Sequence, residues 1–555
     1  MKRSRLTALL AAPPLIFLAL FYFYPLAEIF LLSFRPEGEW NFGGAARMFS
    51  SPSFYRVFWF TVWQAAVSTI LTLALAAPGA YLFARFTFPG KKAIESLIII
   101  PFVLPTVVTA AAFQALLGQD GLVNRFLTDI MGLASPPVRI DQTVWFILLA
   151  HVFYNFAVVH RIVSGFWAHL EPNLGDAARM LGASPRRVFL KITLPLLRPA
   201  LAASSLLVFI FCFTSFGVIL ILGGPRFATL ETAIYTQAVH LFNLPAAGAL
   251  SLVQIVFTFT LMWGYTWVQK KTGLALNPGS AHKNQRPLST TREKLFAGVN
   301  LGFMAVLLIA PIASLVLRSL ISEEGFTLAY YQALFQDSST SISFVPPFRA
   351  VLNSLGFAGA TMVLAVTLGL MAAVFLARSG GRVSSLLDPI FMLPLSTSAV
   401  TLGFGFIIAL DEPPLNLRTS LALVPLAHTL AALPFVVRSI LPALRSLPPS
   451  LREAAALLGA SPWRAWRFVD LPIIGRALLV GAVFAFSVSL GEFGATVFLA
   501  RPGTPTLPVA IYRFLGQPGA LHYGQAMAMS SLLMLVTAGG FLMLERFKVG
   551  RVGEF

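Results

Sequence analysis

The chain has 555 residues, of which 57% are apolar and only 11% are charged, and its formal net charge is +18. Soluble globular proteins carry about 25% charged residues, so this composition excludes an ordinary soluble enzyme. The apolar residues fall in stretches of about 20, the length that one helix needs to cross a bilayer, and they lack the alternation typical of barrel strands. The sequence therefore predicts an all-α polytopic membrane protein.

In chain order, twelve stretches are long and apolar enough to be membrane spans, six in each half. They lie approximately at 8–31, 57–84, 95–117, 143–165, 199–222, 246–268, 296–317, 352–377, 385–410, 419–441, 474–500 and 526–544. The first stretch is too long for the apolar core of a signal peptide and is followed by no small-residue cleavage site. We therefore expect it to be a retained span.

The basic residues fall mainly on one side of the predicted membrane. With Lys2, Arg3 and Arg5 in the cytoplasm, alternating spans place most of the 40 Lys and Arg residues in cytoplasmic segments, while acidic residues are more frequent outside. This positive-inside pattern explains the basic charge by topology, so no nucleic-acid partner is expected. The single Cys212 lies in an apolar stretch, which excludes a disulfide framework and a cysteine-based metal site.

The chain is internally duplicated. The segment 172–235 aligns with 449–512 without a gap, and the match includes Leu-Gly-Ala-Ser-Pro at 181–185 and again at 458–462. Upstream the register slips, because the first half has a longer outer loop at about 118–142. The predicted organisation has a first span with its outer loop, a permease-like domain, a polar cytoplasmic linker, a seventh span with its outer loop, and a second such domain. These segments are 1–56, 57–268, 269–295, 296–351 and 352–545.

The duplicated cytoplasmic segments read as two short helices joined by a bend. In the second copy, Ser450 followed by Glu453 has the spacing of a capping box, and Asn173 and Asp176 hold the same places in the first copy. Each first helix is expected to close on a left-handed glycine, Gly182 or Gly459, and a Ser-Pro pair at 184–185 or 461–462 then starts the second helix. The second helices are expected to end at the Leu-Pro pairs 194–195 and 471–472.

These segments resemble the "EAA" loop of binding-protein-dependent ABC importer permeases. The resemblance rests on Asp176-Ala177-Ala178 with Gly182, and on Glu453-Ala454-Ala455 with Gly459. Asp176 departs from the family's Glu and has a shorter reach. In that family the loop is a coupling helix that docks into a groove on the ATPase. For Asp176 and Glu453, two readings stay open: helix capping alone, or capping together with contact to the ATPase.

The resemblance implies two kinds of protein partner besides the lipid bilayer. They are homodimeric ATPase subunits, which carry ATP and Mg, and a periplasmic or lipid-anchored solute-binding protein. This chain itself is expected to bind no cofactor and no metal and to hold no catalytic residue, because it has no phosphate-binding loop, no H-E-x-x-H motif and no serine-triad signature. His151 and His428 lie in predicted spans, where we expect interhelical hydrogen bonds rather than metal ligation.

A polar–aromatic–glycine cluster recurs in the fifth span of each half and is the candidate translocation path. The two clusters are Ser215-Phe216-Gly217 and Glu492-Phe493-Gly494, which we expect to face each other about a pseudo-two-fold axis. Glu492, the one clear mid-span acid, either lines this path or is a hydrogen-bonded packing residue. Helix breaks near the membrane centre are predicted at Pro101, Pro105, Pro394 and Pro434.

The fused two-domain form is similar to the thiamine and ferric-iron importer permeases, which implies import of one of these solutes across the bacterial cytoplasmic (inner) membrane. A carboxylate at Glu492 would suit a cation such as thiamine. The alternative is an ion-coupled secondary transporter, which would place several ionisable groups at the membrane midplane, where only Glu492 qualifies. A membrane scaffold without transport activity is disfavoured by the paired broken helices.

Overall fold

The predicted membrane helices are present. The computed structural model describes residues 2–35, 38–41, 43–170, 173–271, 285–322, 325–336, 345–379, 381–411, 413 and 415–547. Within them, 10 helices are long and apolar enough to span a bilayer, or up to 12 spans if each of two bent helix pairs counts as one. This confirms an all-α polytopic architecture. The centre of the predicted linker, 272–284, lies outside the described residues.

Up to Leu320, the described residues form fourteen α-helices and two short strands. The helices are α1 Lys2–Leu18, α2 Tyr24–Phe34, α3 Gly43–Phe49, α4 Pro52–Arg85, α5 Lys91–Val103, α6 Thr106–Leu117, α7 Leu122–Met131, α8 Val144–His169, α9 Asn173–Met180, α10 Pro185–Val188, α11 Leu194–Phe213, α12 Leu230–Tyr235, α13 Leu244–Lys271 and α14 Thr291–Leu320. β1 (Phe86–Thr87) pairs in parallel with β2 (Arg286–Pro287), so the chain after the linker returns to the end of α4.

From Ile321 onward, the described residues form eleven further α-helices. They are α15 Ala329–Gln332, α16 Pro347–Ser379, α17 Gly381–Met392, α18 Ala399–Ala409, α19 Leu423–Arg445, α20 Pro449–Leu457, α21 Pro462–Ala465, α22 Leu471–Gly491, α23 Thr496–Leu499, α24 Leu507–Leu515 and α25 Ala520–Phe547. A two-residue hairpin, β3 (Ile321–Ser322) with β4 (Gly325–Phe326), precedes them.

The helices form two packing units. The N-unit comprises Ser51–Thr232 and Val256–Phe326, and in it α14 packs against α6 and α4. The C-unit comprises Met1–Ser50, Ala233–Ile255 and Thr327–Phe555, and in it α1 packs along α16 and α2 against α18. The first span therefore packs with the second repeat, and the seventh span packs with the first repeat.

A polar contact fixes the first span in the C-unit. The hydroxyl group of Tyr22 lies 2.6 Å from the Thr397 hydroxyl group and donates to the Leu393 carbonyl oxygen at 3.2 Å. Tyr22 is carried by a π-helical turn, Ala19–Phe23, that joins α1 to α2. π-Helical turns inside α-helices are frequently found at functional sites.

Two of the four predicted proline breaks are present. The chain bends by 105° between α5 and α6, at Pro105, and by 94° between Val383–Ser396 and α18, at the 3₁₀ turn that contains Pro394. Pro101 and Pro434 instead lie inside α5 and α19, so the predicted breaks at these two residues are wrong. A proline ends a helix where the preceding residue leaves the helical region, as Leu104 does with ψ 137.

Candidate coupling loops and translocation site

Both loops that are predicted to be cytoplasmic have the expected helix–bend–helix backbone. Gly182 has φ +83 and Gly459 has φ +80, the left-handed conformation expected where a helix closes. In the first loop, Ala183 N donates to Ala178 O at 3.0 Å, and in the second, Ala460 N donates to Ala455 O at 2.9 Å. This 6→1 bond is the signature of a Schellman closure, which requires the glycine conformation.

The starts of the second short helices also follow the prediction. The Ser184 hydroxyl oxygen accepts from Arg187 N at 3.4 Å, and the Ser461 hydroxyl oxygen accepts from Arg464 N at 3.3 Å. Proline follows each serine at the first helical position, where its missing N–H costs nothing. Each bend is therefore specified locally by Gly-Ala-Ser-Pro.

The predicted capping box in the second loop is wrong. α20 already begins at Pro449, whose fixed φ suits a first helical position, so Ser450 lies within the first turn and its side chain does not cap. Glu453 is exposed. In the first loop the Asn173 side chain lies outside the described residues, and Asp176 forms an exposed ion pair with Arg179 at 3.3 Å.

The second short helices do not end at their Leu-Pro pairs. In each copy a π-helical turn, Phe189–Thr193 or Trp466–Asp470, joins the short helix to the next span. Leu194 N donates to Phe189 O and Leu471 N donates to Trp466 O, in each case five residues back rather than four. The helical hydrogen-bond pattern therefore changes register just before the proline, which has no N–H group to donate. The helical rods Pro185–Phe213 and Pro462–Gly491 are thus continuous.

The tip of each loop exposes two large apolar side chains at matching positions of the repeat. They are Met180 and Leu181, each 89% exposed, and Leu457 and Leu458, 90% and 89% exposed. Apolar side chains held this far from protein contacts mark interaction surfaces when they recur in a defined place. The sequence reasoning missed these residues, although both pairs directly precede the glycine bend.

The second loop has an internal anchor. Arg452 Nε donates to both carboxylate oxygens of Asp470, at 2.9 and 3.0 Å, and Asp470 is only 2% exposed. The matching positions in the first copy are Gly175 and Thr193, which cannot form an ion pair. There a Cβ on Gly175 would lie 3.3 Å from Val188 Cγ1, so close packing replaces the ion pair.

The two polar–aromatic–glycine clusters lie at breaks in the fifth spans rather than within continuous helices. In the N-unit, α11 ends at Phe213 and a π turn resumes at Ile219. In the C-unit, α22 ends at Gly491 and α23 begins at Thr496. The predicted spans 199–222 and 474–500 are each interrupted, and in the second of them the Glu492 side chain takes over bonding that the helix would supply.

Glu492 holds the break in the C-unit. Its two carboxylate oxygens accept from Ala495 N at 2.8 Å and Thr496 N at 2.9 Å, and the Thr496 hydroxyl group donates a short hydrogen bond to the same carboxylate. His428 Nε2 lies 3.3 Å from Oε2. Glu492 is 9% exposed, so its carboxylate caps α23 inside the protein.

A buried histidine bridges each break to neighbouring helices. His151 Nδ1 lies 3.0 Å from the Ser68 hydroxyl group, and its Nε2 lies 2.9 Å from that of Ser215. His428 Nδ1 lies 2.7 Å from the Ser489 hydroxyl group, and its Nε2 lies 2.8 Å from that of Thr496. The predicted interhelical role of both histidines is confirmed.

The alignment of the two repeats already places His151 and His428 at matching positions. His151 and His428 are separated by the same number of residues as Gly182 and Gly459, and Ser215 stands where the second copy has Glu492. The second network also reaches α16, because the Ser489 hydroxyl group donates to the Thr361 hydroxyl group at 3.2 Å. Within the described residues, no cluster of three or more His, Cys, Asp or Glu side chains forms a metal site.

Comparison with known proteins finds transport proteins of one kind. A family model described as "Binding-protein-dependent transport system inner membrane component" matches residues 76–273 and 365–545. The chain is 28% identical over 548 residues to the thiamine transport system permease protein ThiP of Brucella abortus, covering 97% of this chain and 96% of that protein. It is 26% identical to the putative ferric transport system permease protein FbpB 1 of Haemophilus influenzae, covering 88% of this chain and 77% of that protein.

Among solved structures, the chain resembles one chain of a bacterial alginate ABC transporter, solved in complex with an alginate pentasaccharide-bound periplasmic protein. That match has 18% identity and a TM-score of 0.41, and it covers 49% of this chain and 96% of the other.

Proposed function

Because this chain belongs to the family of binding-protein-dependent transport system inner membrane components, we propose that it forms the solute pathway of an importer powered by a separate ATPase. The chain is a multi-pass permease subunit of an ABC importer in the inner membrane. Family membership over both halves favours this function over an ion-coupled secondary transporter. The boundaries proposed for the two permease domains are 57–268 and 352–545, joined by the cytoplasmic linker 269–295 and preceded by the segments 1–56 and 296–351.

The observation that carries the proposal is the pair of matched loops with exposed apolar tips. Met180 and Leu181 in one loop, and Leu457 and Leu458 in the other, have no reason to stay exposed at the same point of both copies unless a partner covers them. Two equivalent loops fit two equivalent partner subunits, so the ATPase is proposed to be a homodimer that carries ATP and Mg. The residues assigned to docking are 176–178 with Gly182, and 453–455 with Gly459.

The solute is proposed to be a small cation, with thiamine first and ferric iron second. The support is the end-to-end similarity to thiamine permeases, with 97% of this chain covered, and the weaker coverage of the ferric relative. It reaches the chain from a periplasmic or lipid-anchored binding protein. The breaks at 215–217 and 492–494 are assigned to the pathway, with Glu492 shaping its break by capping α23.

The docking assignment is tested by charge insertion at the loop tips. Leu457→Asp with Leu458→Asp, and separately Met180→Asp with Leu181→Asp, should reduce co-purification of the ATPase because a buried charge without a partner is costly. Leu521→Asp, which alters an exposed leucine at the start of α25, is the matched control and should co-purify normally. Unchanged ATPase binding in both double variants would contradict the proposal.

The solute is tested with the purified complex in proteoliposomes. The cognate binding protein is supplied outside, ATP inside, and uptake of labelled thiamine is compared with uptake of a labelled ferric chelate. We expect ATP-dependent thiamine accumulation that disappears without the binding protein. Accumulation driven by a proton or sodium gradient without ATP would support the secondary transporter instead.

A further inference from the structure

The outer loop of the first repeat contains an amphipathic helix whose apolar face is exposed. In α7, Phe126, Ile130 and Met131 are 63%, 66% and 61% exposed. Phe126 and Ile130 are four residues apart and therefore lie on one face of the helix. The loop at the corresponding place in the second half, at about 411–418, is too short for such a helix, so this feature belongs to one repeat.

One polar side chain of α7, that of Asn124, is turned inward, whereas Asp129 is exposed. Asn124 is 1% exposed, and its amide nitrogen donates to Gly118 O at 2.9 Å and to Val138 O at 2.8 Å. Its amide oxygen accepts from Val138 N at 2.8 Å. These bonds fold the loop onto itself and hold α7 with Phe126 and Ile130 outward, where a helix on a water-soluble surface would bury its large apolar side chains.

The position of α7 relative to the bilayer follows from its neighbours. Arg85 Nη1 donates to Leu170 O at 3.0 Å, which brings the last residue of α4 next to the residue that follows α8. Counting back along both helices, Trp59 and Trp145 lie at about the same height, roughly 38 Å from that end. Both indole side chains are exposed, as in the aromatic belt that marks the headgroup layer.

α7 is tied to this level by its own loop. The Val138 backbone, which Asn124 holds, lies seven residues before Trp145, and α7 follows the end of α6 at Leu117 after a short turn. We propose that α7 lies in the lipid headgroup layer, with the Phe126–Ile130 face against the acyl-chain boundary. It acts as an interfacial anchor of the first repeat, at the opposite end of α4 and α8 from the first candidate coupling loop.

Lipid is favoured over a protein partner as the occupant by the exposed aromatic belt at the same height. An interfacial helix of this kind buries its apolar face about 5–10 Å into the headgroup region. The neighbouring lipid-facing surface carries large exposed apolar side chains as well, such as Trp59 and Trp145, so the α7 face continues a surface that already meets lipid. The solute-binding protein is the other occupant that the test must distinguish.

The test places a fluorescent probe on single cysteines in the full-length protein with Cys212→Ala. Phe126→Cys and Ile130→Cys report on the apolar face, and Ser135→Cys, in the exposed part of the same loop, is the control. The protein is placed in nanodiscs of phosphatidylethanolamine and phosphatidylglycerol, with and without lipid bearing a nitroxide near the headgroup. At Phe126 and Ile130 we expect blue-shifted emission and about a twofold or larger quenching by the nitroxide lipid, and at Ser135 neither effect.

Two results would overturn the proposal. In the first, the probes at positions 126 and 130 emit at the same long wavelength as the probe at 135 and are quenched as weakly. That result would place α7 in water. A blue shift that appears only after the solute-binding protein is added would make this face a protein contact. A measurement on the unsubstituted protein guards against probe artefacts: a photoactivatable headgroup lipid should crosslink to the peptide around 122–133, and failure to do so contradicts the anchor.

Discussion

The two copies of the duplicated segment share one backbone but hold it by different chemistry. In the first copy the loop is packed by Gly175 against Val188, and the fifth-span break is bridged by Ser215 with His151, without a carboxylate. In the second copy the same loop is anchored by a buried carboxylate, Asp470, and the break is capped by another, Glu492. Both copies therefore keep the bend and the break, and the charged anchors are particular to the second.

The shared bend gives the largest expected effect. Gly182→Pro and Gly459→Pro place proline where φ is +83 and +80, values that its ring cannot adopt, so the Schellman closure is lost in either loop. Each variant should abolish solute-stimulated ATP hydrolysis while the protein still inserts and assembles. Stimulated ATPase activity in an assembled complex that carries both changes would show that the bend is not needed for coupling.

The two breaks should differ next most strongly. Glu492→Leu removes the cap of α23 and leaves the buried Ala495 and Thr496 N–H groups without their acceptor. Because each such group costs about 1–3 kcal/mol, we expect a loss of about 2–6 kcal/mol in the free energy of unfolding. The matched change in the first copy, Ser215→Ala, removes one neutral hydrogen bond and should cost about 1 kcal/mol. Thermal unfolding of the purified proteins measures both. Equal losses would mean that charge does not distinguish the copies.

Glu492→Gln separates capping from a role in transport. Its amide can accept from only one of the Ala495 and Thr496 N–H groups, because the other would meet the amide NH₂ group. We expect an intermediate loss of stability and a severalfold loss of solute uptake, with ATPase coupling retained. Normal uptake together with lowered thermal stability would contradict the assignment of Glu492 to the pathway.

The loop anchors give the smallest expected difference. Asp470→Asn keeps the side-chain size but removes the charge that Arg452 meets, and should cost about 1–3 kcal/mol and weaken coupling through the second loop. Asp176→Asn breaks only an exposed ion pair, which is worth less than about 0.5 kcal/mol. A larger effect at Asp176 on ATPase stimulation, without loss of stability, would indicate that this acid contacts the ATPase directly.

Local chemistry could be predicted from the sequence where a few adjacent residues decide it. Gly182 and Gly459, with the Ser-Pro pairs that follow, specify their bends without help from the rest of the fold. The same reasoning failed where a local signal competes with its context. At the Leu-Pro pairs a π turn absorbs the proline, and Pro434 is accommodated within the buried helix α19.

Contacts between segments that are distant in the sequence could not be predicted from local patterns. Hydrophobic periodicity identifies a span but not its neighbours, so nothing in the first span indicates that Tyr22 bonds to Thr397 in the second repeat. The ion pair of Arg452 with Asp470 and the network of His428 likewise join residues that are separated in the sequence. Only the matched positions of the repeats offered a hint, since His151 and His428 occupy equivalent places.

The π turns before Pro195 and Pro472 have a mechanical consequence. Because they keep the chain helical, the second short helix of each candidate coupling loop and the following span form one lever of 29 or 30 residues, about 40 Å long, that ends at the fifth-span break. A tilt of about 10° about the loop end displaces the far end of such a lever by about 7 Å. If the ATPase docks on these loops as proposed, a small rotation there becomes a displacement as wide as a small solute at the break, with no bending of the helix between Pro185 or Pro462 and the break.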